Sequence, residues 1–279
     1  MIIRCWGARG SIPVSGKEYL KYGGDTTCIE IRTRDDNVVI VDAGSGIRRL
    51  GNRLLAETRH EYYMIFTHAH WDHLIGFPFF KPLHSKKTLI KMTGCPFAQA
   101  SIKEMISRVM RPPNFPVKFS DIRADIDYQG AADTTFTIGS MTVEPIPLSH
   151  PNSGNGYRFT EDGKVFVFLT DNELAYKHPG GLDYDDYRNF SANADLLFHD
   201  AEYTEKDYKI KKEWGHTVYT DALRLALEAK VKKLVLFHHN QERTDSEVDD
   251  LVKDCKEIID KNASSLECVA ADQDMEIEL

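Results

Sequence analysis

An apolar run, YYMIF at residues 62–66, passes directly into THAHWDH at 67–73, where three histidines and one aspartate occupy seven positions. No other junction limits the fold as much. A short apolar run of this kind reads as a buried β-strand, so the polar cluster must stand where a strand leaves the core, at the mouth of a sheet. Taken singly, each histidine could be a half-buried hydrogen-bonding residue, and Asp72 could cap a helix begun by LIGFPFF. Taken together, they suit a metal site, because neutral imidazoles and carboxylates bind Zn²⁺ and related ions at about 2.0–2.2 Å. Alternate residues of an extended stretch point the same way, so His68 and His70 can share one ion. Asp72 and His73 diverge from that pair and can reach another, so the spacing favours two metals over one.

The 279 residues suffice for one large α/β domain or two small ones, and 42% hydrophobic with 28% charged residues is an ordinary globular composition. No apolar stretch approaches the length of a membrane span, and MIIRCWGARG lacks the apolar core of a signal peptide. The five cysteines (Cys5, Cys28, Cys95, Cys255, Cys268) are odd in number and form no CxxC, a pattern suited to a reducing compartment. A cytoplasmic protein is expected. The net charge of -8 makes a long nucleic acid a poor partner, since phosphate contacts need a broad basic face; only a local patch would reconcile the two.

Strands are expected at MIIRCW, at 26–33, 38–42, 62–66 and 88–92, and then at 141–148, 156–160, 164–170, 195–199 and 233–239. In TTCIEIRT, Cys28, Glu30 and Arg32 face opposite to Ile29 and Ile31. A helix is expected from about Pro96 to Met110, and the prolines of RPPNFP then require a loop. Two later helices are better marked. Val218, Ala222, Leu225, Ala226 and Ala229 fall on one face, as do Val248, Leu251, Val252, Cys255, Ile258 and Ile259 behind the capping-box pair Thr244 and Glu247. The acidic C-terminal stretch reads as a last strand. Strands and helices in this mixture predict two sheets packed face to face with helices outside, an α/β fold in one domain over residues 1–279.

THAHWDH resembles the HxHxDH signature of the metallo-β-lactamase superfamily, and further landmarks follow in that family's order: VVIVDAG with Asp42, PLSHPNSGNG with His150, VFLTDNE with Asp171, and LVLFHH with His238. The resemblance spans roughly residues 1–240 and implies a four-layer αββα sandwich with a dinuclear site along one edge. Carried over, it implies one metal held by His68, His70 and His150, another by Asp72, His73 and His238, Asp171 bridging them, and Asp42 as a structural support. Of the neighbours His238 and His239, position after the strand favours His238. The ligand types admit Zn²⁺, Mn²⁺ or iron.

Within that superfamily, LLFHDAEYT (196–204) and WGHTVYTDA (214–222) are similar to the ribonuclease Z branch, which implies that Asp200 and His216 assist proton transfer to the leaving oxygen. The family's glutamate is here the shorter Asp200. A histidine oriented by a carboxylate is suited to that role near neutral pH. WGARGSIP (6–13) and YGGDTTC (22–28) resemble small phosphodiesterases of the same branch, often dimers, that act on cyclic nucleotides or cyclic phosphates. The expectation is a metal-dependent phosphodiesterase in which a hydroxide bridging two divalent ions attacks a small phosphodiester, most readily a cyclic nucleotide. Alternatives are a ribonuclease Z-type tRNA 3′-processing endonuclease, a hydrolase of C–N, C–O or thioester bonds, a diiron redox protein, and a metal-dependent binding protein. Trp71, Phe77, Phe79 and Phe80 are candidates for stacking a nucleobase, and SGNG beside His150 for offering backbone N–H groups to phosphate.

Overall fold

A computed structural model describes residues 1–94, 102–113, 115–131 and 134–279. Its strands are β1 (Ile2–Gly7), β2 (Cys28–Arg32), β3 (Val38–Val41), β4 (Glu61–Phe66), β5 (Leu89–Gly94), β6 (Asp125–Ala131), β7 (Phe136–Ile138), β8 (Met141–Pro147), β9 (Asn155–Glu161), β10 (Lys164–Leu169), β11 (Leu196–Asp200), β12 (Lys233–Phe237), β13 (Glu267–Ala270) and β14 (Glu276–Glu278). They form two seven-stranded sheets, β14-β1-β2-β3-β4-β5-β6 and β13-β12-β11-β10-β9-β8-β7. Each sheet changes character part-way across. β1, β2 and β3 pair antiparallel and β3 to β6 parallel, while β7 to β10 pair antiparallel and β10 to β13 parallel.

The strands divide their side chains between three cores, which is why the central ones read as continuous apolar runs. Val39, Val41 and Ile65 of the first sheet meet Phe159, Phe166, Phe168, Phe198 and Phe237 of the second in the space between the sheets. There Phe166 and Phe198 pack edge to face at 5.2 Å, and Phe168 and Phe237 at 5.3 Å. Val38, Ile40, Tyr62, Met64 and Phe66 point the other way, into an outer core beneath α1 (Ile47–Ala56) and α2 (Ile102–Val109). Val165, Val167, Leu169, Leu197, Leu234 and Leu236 do the same on the far side. There α3 (Tyr184–Phe190), α5 (Tyr219–Glu228) and α6 (Asp245–Lys261) cover the second sheet, with α4 (Glu205–Lys211) lying outside and burying none of its residues. The result is the four-layer αββα sandwich. Among the described residues no helix is long and apolar enough to cross a membrane.

Several local expectations change. Residues 96–101 of the expected helix lie outside the described residues, and the helix is described over Ile102–Val109. LIGFPFF begins no α-helix: short 3₁₀ turns occur at Trp71–His73, Phe77–Phe79 and Lys81–His84, where Pro78 and Pro82 lack the N–H that continued helix needs. Phe77 and Phe80 are fully buried in the outer core, so of the four aromatic candidates only Trp71 and Phe79 face solvent. Helix α1 was hidden in the sequence by its arginines and by Gly51, whose missing side chain matters: a Cβ there would sit 2.9 Å from the Phe80 ring. The capping box of α6 forms as expected, with Thr244 N donating to Glu247 at 2.8 Å and Glu247 N to the Thr244 hydroxyl at 3.4 Å.

Candidate metal centre

Parallel strands place their C-terminal ends on one side of a sheet, and there the polar residues of both sheets meet. Segment 67–73 leaves β4 and Asp42 leaves β3, while His150 follows β8, Asp171 follows β10, Asp200 ends β11 and His238 follows β12. Three of these residues, Asp42 (φ 61), Asp171 (φ 51) and His238 (φ 58), have left-handed backbone, which turns each side chain sharply as its strand ends. Such a conformation costs a non-glycine residue about 1–2 kcal/mol, so the surrounding contacts must over-determine it.

Those contacts are numerous. The buried Asp42 carboxylate accepts Thr67 N at 2.8 Å, the Thr67 hydroxyl at 2.7 Å and His73 Nδ1 at 2.7 Å, which turns His73 Nε2 inward. His150 Nδ1 donates to Gly215 O at 2.9 Å, and His238 Nδ1 to Glu202 Oε2 at 2.9 Å. Thr170 donates to Asp171 at 2.6 Å, and Ser11 N to Asp72 at 2.9 Å. Hydrogen bonds of this kind fix the tautomer and direction of a ring whose other nitrogen faces an ion.

The inward atoms form two groups around one carboxylate. Asp171 Oδ2 faces His68 Nε2 at 3.5 Å and His150 Nε2 at 3.8 Å; His150 Nε2 also lies 3.0 Å from His70 Nδ1. Asp171 Oδ1 faces His73 Nε2 at 3.3 Å and His238 Nε2 at 3.4 Å, and Asp72 Oδ2 lies 3.4 and 3.0 Å from the same two nitrogens. Within each group, His68–His70–His150–Asp171 and Asp72–His73–Asp171–His238, the candidate ligand atoms lie within 4.8 Å of one another. Two ligands about 2.1 Å from one tetrahedral ion stand roughly 3.4 Å apart, and the separations here bracket that value. His68 Nε2 and His73 Nε2 are moreover buried with no hydrogen-bond partner. Buried polar atoms are normally paired, so these orphaned nitrogens, aimed at carboxylate oxygens, fit a divalent ion in each group.

Charge follows the same division. Burial pushes the His68 imidazole well below its ordinary value and His150 down to about 3. Burial also opposes charge on His73 and His238, but the carboxylates around them, Asp72 and Asp171 foremost for His73 and Asp171 for His238, draw both well above it. Asp171 and Asp72 are held well below the usual carboxylate range by neighbouring imidazoles despite their burial. The cluster therefore draws in positive charge, as protons or as metal.

Beside the second group, His216 Nδ1 donates to Asp200 Oδ2 at 2.6 Å, and its ring stacks on His238 with centroids 4.7 Å apart. Asp200, one methylene shorter than glutamate, thus reaches its histidine, and its other oxygen accepts Glu202 N at 3.0 Å. Burial works against charge on His216, but Glu202 and Asp200 together push its pKa up to about 9. His239 points away, donating from Nε2 to Ala271 O at 2.8 Å. The seven expected ligand positions and the Asp200–His216 pair are brought together; His239 is not among them. Sequence reasoning missed Glu202, although it stands two residues beyond Asp200 in extended chain and so on the same side. It also missed Glu173, which follows Asp171 by the same interval.

Two packed mixed sheets, helices on both outer faces and a histidine–aspartate cluster along one edge define the metallo-β-lactamase fold class. A family model described as a β-lactamase superfamily domain matches residues 37–239, and the chain belongs to that superfamily. It is 21% identical over 315 aligned positions to a ribonuclease Z of Picrophilus torridus, covering 98% of this chain and 96% of that one. Among solved structures it is similar to the metallo-β-lactamase fold protein YhfI of Bacillus subtilis, with a TM-score of 0.71, 20% identity and coverage of 100% and 99%. It is also similar to a diphosphatase of the PhnP family, with a TM-score of 0.69, 16% identity and coverage of 100% and 97%. The chain is an enzyme of this hydrolase superfamily, and its two His/Asp groups could hold divalent metal.

Proposed function

We propose that the protein is a cytoplasmic phosphodiesterase with two divalent ions, zinc or manganese with iron as a third candidate, acting on a small phosphodiester, most readily a cyclic nucleotide. In this reading His68, His70 and His150 hold one ion, Asp72, His73 and His238 hold the other, and Asp171 is shared. One observation carries it: the two oxygens of Asp171 face two separate sets of imidazoles, with the Asp200–His216 pair stacked directly against one set. Two ions bound there would activate water and neutralise charge on the phosphoryl oxygens.

The chain's own residues supply the remaining step. Water adds to phosphorus opposite the leaving oxygen and gives up a proton to solvent, the bond from phosphorus to the 3′ oxygen breaks, and His216 delivers its Nε2 proton to that oxygen and regains one from solvent. Asp200 holds the imidazole by Nδ1 at 2.6 Å, so only Nε2 is available to donate. General acid assistance of this kind contributes about 10²–10⁴-fold where the leaving group is a poor one. The net charge of -8 favours a small substrate over a long polyanion. The reading takes residues 1–279 as one domain, supported by the pairing of β14 with β1, and allows a homodimer.

The test is hydrolysis of bis-p-nitrophenyl phosphate and of 3′,5′-cyclic nucleotides by metal-loaded protein beside Asp72→Ala. Turnover that vanishes in the variant is the expected result. Protein that holds two ions and cleaves neither diester would overturn the reading. A ribonuclease Z-type activity on tRNA precursors is the second reading, favoured by the Picrophilus torridus relative of that name. Salt-sensitive binding and 3′ cleavage of a tRNA precursor, with cyclic nucleotides untouched, would establish it instead.

A further inference from the structure

We propose that Glu173 is a positioning residue that sets the proton donor in place; the inference rests on the phosphodiesterase reading and adds a residue that is not among the expected site residues. Glu173 is buried, and each of its carboxylate oxygens is filled by two donors. Oε1 accepts the Tyr208 hydroxyl at 2.6 Å and Glu213 N at 2.9 Å. Oε2 accepts Gly215 N at 2.8 Å and His178 Nε2 at 2.8 Å. No cation of lysine or arginine stands among these partners. The carboxylate instead gathers α4, the 178 loop and the backbone of 213–215 onto the strand end that carries Asp171.

Gly215 is where this hold becomes chemistry. Its N–H is fixed by Glu173, its carbonyl accepts His150 Nδ1 at 2.9 Å, and His216 follows it directly. The position has no slack: its backbone is left-handed (φ +93), and a Cβ would lie 2.1 Å from His150 Nδ1. One carboxylate, two residues past Asp171, therefore sets the height of the loop that presents His216 and steadies the far side of His150. A loop that only needed closing could use a neutral side chain or water. Four converging donors require a group that only accepts, because an amide in the same place turns its NH₂ toward two of them.

The test uses the full-length, metal-loaded protein with Glu173→Gln, Tyr208→Phe and, for reference, His216→Ala. Downfield proton spectra report the His216 Nδ1–H to Asp200, the His150 Nδ1–H to Gly215 and, as an internal control, the His73 Nδ1–H to Asp42. Glu173→Gln is expected to shift or broaden the first two and leave the third. Its kcat on a 3′,5′-cyclic nucleotide is expected to fall roughly 30-fold with little change in KM. On bis-p-nitrophenyl phosphate, whose leaving group needs no proton, the fall is expected to be under about 3-fold, with two ions retained. Tyr208→Phe removes one donor and should show the same selectivity at about 3-fold on the cyclic nucleotide, which serves if Glu173→Gln does not fold.

A parallel fall on both diesters would reveal general structural damage and overturn the proposal. So would unchanged His216 and His150 resonances in either variant. If the wild-type protein cleaves neither diester, the phosphodiesterase reading fails on its own. The proton spectra then still decide whether Glu173 holds His216.

Discussion

The first sheet delivers its share of the cluster in one piece, and the second sheet delivers its share in three. His68, His70, Asp72 and His73 come from a single segment after β4, braced locally by Asp42 at the end of the adjacent parallel strand β3. His150, Asp171 and His238 come from β8, β10 and β12, and each has a separate brace in Gly215, Thr170 and Glu202. The strand pattern of the two sheets is nearly the same, so architecture does not explain the difference. The contrast lies in how far the chain must travel before a ligand finds its partners. The first set needs one strand and one turn in register. The second needs the order and register of β8 through β12, and the loop that bears Gly215, before any single residue is useful.

The largest effect is expected where the two contributions meet. Asp171→Gly, which keeps the left-handed turn, removes the side chain that both groups share among the described residues and should cost about 10³-fold in turnover together with bound metal, measured by hydrolysis and elemental analysis. If that variant keeps both ions while Asp72→Ala loses one, the two contributions do not meet at Asp171 and the comparison breaks. The braces are next. Glu202→Gln should weaken the ion proposed at His238 by about 10–100-fold in chelator competition and leave the other in place. Asp42→Asn should weaken the same ion through His73 but also destabilise the fold by roughly 1–3 kcal/mol, because an amide cannot accept all three of its buried donors. Equal loss of both ions in Glu202→Gln would show that the braces are not separate. The smallest effect lies far from both: Thr244→Ala should cost about 1 kcal/mol in urea unfolding by uncapping α6, with metal content and turnover unchanged.

This contrast also explains what was legible in the sequence. The THAHWDH segment was readable because its chemistry is contiguous and its strand is apolar. His150, Asp171 and His238 became readable only through resemblance, since a lone histidine before proline or aspartate before asparagine carries no spacing signal. The outward strands and the helices α5 and α6 followed from periodicity. Helix α1 did not, because Gly51 and three arginines mask Ile47, Leu50 and Leu54, which are buried beneath it. Phe77 and Phe80 read equally as core residues or as stacking candidates, because the sequence places them just beyond the histidine cluster; in space they pack under α1. Glu202 and Glu173 escaped notice for a different reason: their meaning is a matter of which donors surround them, and those donors come from residues 178–240.

The left-handed turns at Asp42, Asp171 and His238 have an implication for how the protein can be varied. Aspartate, asparagine, histidine and glycine are the residues that enter that backbone region most readily. At position 171, asparagine would preserve the turn while removing the charge, and glycine would preserve it while removing the side chain altogether. Alanine changes the chemistry and strains the main chain in the same stroke. Substitution series at these strand ends therefore have to be built around asparagine and glycine if loss of activity is to be separated from loss of shape, and a mutational scan read through alanine alone would overstate what the side chains do.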